Sequence, residues 1–114
     1  MSIEIALAAV AVSDLGEAKE FYTRLLGRPV DVEPMPTLAQ WDFTPAGALQ
    51  VVESPAHAGH CMATLLVSDL DATLDDLAAH GIEIGEVVTG VISRVTQVAD
   101  PAGNVITLAE IPKD

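Results

Sequence analysis

A chain of 114 residues, half of them apolar, is long enough for one core and too apolar to be disordered. Five basic residues against 17 acidic ones leave a net charge of −12, which excludes nucleic acid as a partner and favours cationic small molecules. No apolar run reaches about 18 residues, so no membrane-spanning helix is expected; the single cysteine, Cys61, excludes an internal disulfide and fits a reducing cytoplasm.

The chain opens with IEIALAAVAV, residues 3–12, which reads as a strand rather than a signal peptide because Glu4 interrupts it and no basic residue precedes it. Ile3, Ile5, Leu7, Ala9 and Ala11 share one of its faces; Ala6, Ala8, Val10 and Val12 share the other. Asp14 then suits a helix N-cap, with Glu17 three residues on as its capping-box partner. Leu15, Ala18, Phe21, Tyr22, Leu25 and Leu26 recur at helical spacing and form one buried stripe. Gly27 is placed to end the helix, and Pro29 prevents its continuation. PVDVEPMP, LAQWDF and ALQVVE follow as three strands, with TPAG as the turn between the last two.

From Cys61 the order repeats. CMATLLV is a strand, and Asp69 caps a helix carrying Leu70, Leu74, Leu77 and Ala78, which Gly81 ends. EIGEVV, SRVTQVA and NVITLAE are three more strands, with DPAG as the last turn. VSDL occurs at residues 12–15 and again at 67–70, an offset of 55, and TPAG and DPAG are offset by 56. The chain is therefore an α+β protein of two βαβββ modules, residues 1–53 and 61–114, joined by a linker at 54–60. Neither half could bury a core alone.

Carried by VSDLGEAKEFYTRLLG, LVSDLDATLDDLAAHG and DPAGNVITL in this order, the whole chain resembles the vicinal oxygen chelate superfamily, which includes glyoxalase I, extradiol dioxygenases and bleomycin-resistance proteins. The resemblance implies two curved mixed sheets around a cavity. In its enzymes it also implies a divalent metal held by the first and last strands of each module. The first-strand positions, seven residues before each capping Asp, are Leu7 and Met62 here. The last-strand positions are Thr107 and either Gln50 or Val51. Leu7 offers no donor, Met62 a thioether, and Thr107 and Gln50 weak neutral oxygens, whereas such a metal needs about three or four good donors. The resemblance is therefore nearest to a metal-free, cofactor-free branch of bleomycin-resistance type, dimeric and often with modules exchanged between chains.

What remains is a pocket. Leu7, Ala9, Ala11, Met62, Thr64 and Leu66 share the face that holds the metal in relatives, small and apolar enough for a small molecule. Trp41 and Phe43 either stack on a ligand there or pack under the helix, which would leave Gln40 and Asp42 to the cavity. Gln50, Arg94 and Thr107 complete the candidate ligand-binding set. His57, His60 and Cys61 cluster in the linker without a fourth ligand. His80 complements a helix C-terminus, and no nucleophile or phosphate-loop motif is present. Three readings follow: sequestration of a hydrophobic or cationic aromatic, antibiotic-like compound; a metal-dependent lyase, isomerase or dioxygenase using His60, Gln50, Glu53 and Glu110; or a structural module with a filled cavity.

Overall fold

In the computed structural model, which describes residues 1–43, 47–90 and 93–111, ten elements succeed one another in two like halves. The first half is β1 (Ala8–Val12), α1 (Leu15–Leu26), β2 (Val32–Met35), β3 (Leu38–Phe43) and β4 (Gly47–Glu53). The second is β5 (Met62–Val67), α2 (Leu70–Ala79), β6 (Val88–Thr89), β7 (Arg94–Ala99) and β8 (Val105–Glu110). Each half forms its own mixed sheet of four strands, in the orders β1-β4-β3-β2 and β5-β8-β7-β6. The first strand of each half pairs parallel with the last, and the remaining pairs are antiparallel. The TPAG turn lies mostly outside the described residues.

Asp14 caps α1, its Oδ1 accepting the Glu17 N–H at 3.0 Å, and Gly27 ends it in the left-handed conformation at φ 75°. Leu15, Ala18, Phe21, Tyr22 and Leu25 form its buried stripe, with Leu26 only partly covered. They pack on Val10, Val12, Ala39, Trp41, Leu49 and Val51 of the first sheet; each large apolar side chain so enclosed contributes roughly 1.5–3 kcal/mol. Asp69 caps α2 in the same way, accepting from Ala72 N–H at 3.1 Å. Leu70 and Leu77 are buried and Leu74 is partly so, but Ala78 is exposed, because α2 covers its sheet with a narrower stripe.

Three strands are shorter than their patterns. The first begins at Ala8 rather than Ile3, because its parallel partner β4 starts only at Gly47 and Ala8 already stands opposite Leu49. β2 is a bulged edge strand holding Pro34, which cannot donate to a ladder. EIGEVV reduces to the two residues of β6. Upstream of it, Gly85 N–H donates to Gln97 O while its own carbonyl accepts from the Thr96 hydroxyl, so a side chain stands where the ladder would run.

The halves meet where β1 and β5 lie side by side. Ala11 N–H donates to Cys61 Sγ at 3.3 Å. Asn104, fully buried, donates through Nδ2 to Ala11 O at 2.7 Å and to Asp100 Oδ2 at 2.8 Å, and its Oδ1 accepts the Cys61 N–H at 2.9 Å. The Tyr22 hydroxyl donates to Asp100 Oδ2 at 2.7 Å. Burial, and then this bond, raise the Tyr22 pKa far above that of a free tyrosine. The linker presses on the same turn: a Cβ on Gly59 would stand 2.5 Å from Ala102 O.

Candidate functional site: the open face of the two sheets

Side chains alternate across a strand, so every residue turned from the helices lines the opposite face of its sheet. On the first sheet, Ala9 stands beside Gln50 and Gln50 beside Gln40. On the second, Thr64 stands beside Thr107 and Thr107 beside Gln97. The two arrangements correspond, and each is tied across strands by an amide. Gln50 Nε2 donates to Gln40 Oε1 at 2.8 Å, and Gln97 Nε2 donates to Thr107 Oγ1 at 3.2 Å. The register puts Gln50, not Val51, at the last-strand position of the first half: Val51 is fully buried on the helix side.

Of the residues singled out for the pocket, Ala9, Ala11, Gln50, Thr64, Leu66 and Thr107 turn to this face by register, with Ala11 itself closely covered. Met62 opens β5 there, 72% exposed, and Leu66 is 64% exposed. Leu7 lies just before β1 and is 46% exposed. Trp41 and Phe43 lie on the other face. Trp41 is fully enclosed under α1, its Nε1–H donating to Arg28 O at 3.0 Å and its ring 6.0 Å from that of Tyr22. Gln40 and Asp42 therefore take the open side, joined by a 2.8 Å bond from Gln40 Nε2 to Asp42 Oδ1. Arg94 is likewise on the helix side. It clamps Asp71 of α2 and Glu110 of β8 at 3.1 and 3.0 Å, and hydrogen bonds to Glu110 and then Asp71 raise its pKa. Gln97, which was not among the sequence candidates, also turns to this face, opposite Thr107.

The donor set at the family's metal positions does not fit a divalent ion. Leu7 has no donor atom, Met62 only sulfur and Gln50 a neutral amide oxygen, and the Thr107 hydroxyl oxygen already accepts from Gln97. Glu53 and Glu110 are turned to the helices, accepting the Leu15 and Leu70 N–H groups at 3.2 and 2.9 Å. His57 and His60 are exposed in the linker. Among the described residues, no three His, Cys, Asp or Glu side chains converge on one point.

The face has a definite polarity. Among the described strand residues turned to it, Asp42 is the only charged one. Gln40, Gln50 and Gln97 each commit one amide N–H within the face, while the carbonyl oxygens of Gln50 and Gln97 accept no hydrogen bond from a described residue. Around these groups lie Leu38, Met62, Leu66 and several alanines and valines. The face thus offers amide donors, amide acceptors and one negative charge set in apolar surface.

The family model described as Glyoxalase/Bleomycin resistance protein/Dioxygenase superfamily matches residues 4–108. No curated protein matches the sequence. A glyoxalase/bleomycin resistance protein from Catenulispora acidiphila is 38% identical, with a TM-score of 0.88 over 95% of this chain and 98% of that one. An antibiotic binding protein from a Streptomyces species is 27% identical, with a TM-score of 0.83 over 99% of each chain. A bleomycin-binding protein solved with bleomycin shares the fold at 17% identity, with a TM-score of 0.78 over 95% of this chain and 98% of that one. No helix among the described residues is long and apolar enough to cross a membrane.

Proposed function

The chain belongs to the Glyoxalase/Bleomycin resistance protein/Dioxygenase superfamily, and from that premise we propose that it is a metal-free binding protein that sequesters an apolar or cationic aromatic compound of antibiotic type. The observation that carries this reading is the open face itself. Among the described strand residues its one charge is Asp42, with amide donors and acceptors of the glutamines beside it, and the net charge of −12 draws cations towards it. The similar antibiotic binding protein from Streptomyces supports the same reading. The ligand lies across Ala9, Gln50, Thr64, Leu66 and Thr107, with Gln40, Gln97 and Asp42 fixing its orientation. Trp41 and Phe43 support the sheet from behind, and Arg94 stiffens α2 against β8. A second copy of the chain covers the open face and closes the cavity.

The family also contains lyases and dioxygenases, but the donors such chemistry would need here point apart, with Glu53 and Glu110 held at the helix starts. The test is a titration with rigid aromatic compounds of one size and three charges, cationic, neutral and anionic, followed through the side-chain NH₂ signals of Gln40, Gln50 and Gln97 by nuclear magnetic resonance. Saturable shifts are expected, with the cation bound most tightly and weakened several-fold by Asp42→Asn. Equal affinity for the three compounds, or shifts absent from all three glutamines, would overturn the assignment.

A further inference from the structure

A second recess, of about 870 Å³, lies between the halves, bounded by the last turn of α1 and by α2. Leu25, Leu26, Phe43, Leu65, Leu77 and Leu108 make it apolar, and its volume is in the range of small-molecule sites. It adjoins the open face at β5, whose Thr64 and Leu66 line both. Arg24 stands in its wall and also in the wall of a smaller recess beside Ile82 and Ile84.

Arg24 differs from the other described cations. Lys19 pairs with Glu33, Arg28 with Asp31, and Arg94 with Asp71 and Glu110. Arg24 has no carboxylate partner among the described residues. Its Nη1 donates to His80 O at 3.2 Å, its guanidinium carbon lies 5.8 Å from the centre of the Phe21 ring, and its Nε is buried without an acceptor. A guanidinium has five N–H donors, and only one of those of Arg24 meets an acceptor among the described residues. Its positive charge is thus left for an acid from outside the chain, the partner a guanidinium pairs with most strongly.

We propose that this recess is a second binding site, for an amphiphile with one carboxylate. The acid pairs with the Arg24 guanidinium in the recess wall, and the apolar body lies among Leu26, Phe43, Leu65 and Leu77. The polarity is opposite to that of the open face, and this site does not depend on the reading given there. The net charge of the chain and Asp76, which also lines the recess, both oppose an anion, so Arg24 alone must decide the preference.

Three probes of one chain length, octanoate, 1-octanol and octylammonium, are titrated into the intact ¹⁵N-labelled chain. Octanoate is expected to shift the Leu26, Leu77 and Arg24 Nε–H signals saturably and to bind about tenfold or more tighter than the other two, the usual worth of a charged hydrogen bond. Arg24→Gln should erase that advantage and leave octanol binding unchanged. Octylammonium or octanol binding as tightly as octanoate would overturn the proposal. So would octanoate shifts confined to the Gln50 and Gln97 side chains. The comparison of head groups uses the unaltered chain, so it decides the matter even if the variant fails to fold.

Discussion

Tyr22 shows what a single residue can do across 78 positions of sequence. Its ring belongs to the helical stripe, which the spacing of apolar residues predicts, but its hydroxyl ends on Asp100 in the other half. Nothing local announces that bond, because the partner is fixed by how the halves dock. Asp100 Oδ2 has two donors, the Tyr22 hydroxyl and Asn104 Nδ2. Tyr22→Phe removes one of them from a buried carboxylate and should cost about 1.5–3 kcal/mol at neutral pH. The pH dependence has a definite sign. Tyr22 ionises near pH 10 in the unfolded chain and far higher in the folded one. The folded state thus keeps a proton that the unfolded state releases. Its contribution is full below about pH 10 and declines above it by about 1.4 kcal/mol per pH unit. Urea unfolding at pH 8 and pH 11 should therefore show the advantage of the native chain over Tyr22→Phe shrinking at the higher pH. An advantage that is constant with pH would mean that the hydroxyl is not held protonated by the fold.

At the scale of the elements, the repeated VSDL was legible in sequence as the start of two helices, and both Asp14 and Asp69 cap as their positions require. The other part of the device was not. Glu53 and Glu110, each ending the last strand of its half, accept the first N–H of the helix at Leu15 and Leu70. Read as candidate metal donors, they are extra caps that fasten each helix to its parallel strand pair. The signal was present, since both carboxylates follow apolar runs at matching places in the repeat. The limits of β1 and β6 were less legible, because strand length depends on the neighbour, not on the strand's own residues. The two glutamates should also differ. Glu53 is exposed, so Glu53→Ala should cost no more than an ordinary cap, about 1 kcal/mol. Glu110 also holds Arg94, which in turn holds Asp71. Glu110→Ala should cost more than Glu53→Ala, because it removes both the α2 cap and one of the two carboxylates that hold Arg94. Equal losses in denaturant titrations would show that the Arg94 clamp contributes nothing.

The molecule as a whole is open, and that is the part of the site least legible in sequence: periodicity places residues on a face but does not say whether the face is covered. Met62 and Leu66 are 72% and 64% exposed, and Ile3, Ile5 and Leu7 extend the same apolar character beyond the start of β1. Side chains of this size are seldom left together in water unless something binds over them. A second copy is the occupant that the proposed cavity needs, and two copies must approach against a net charge of −12 each. Light scattering coupled to gel filtration should therefore give twice the chain mass of 11.9 kDa at micromolar concentration, with the dimer strengthened by added salt, which screens the repulsion. Met62→Asp combined with Leu66→Asp should yield a monomer that is as well folded as the parent, because in the single chain both side chains already face solvent. It should also lose ligand affinity in proportion to the lost cover. A native chain that runs at 11.9 kDa under these conditions would remove the second copy from the site and leave the ligand to a single open face. The double variant would then keep its affinity for any compound that binds through Gln50 and Gln97 alone.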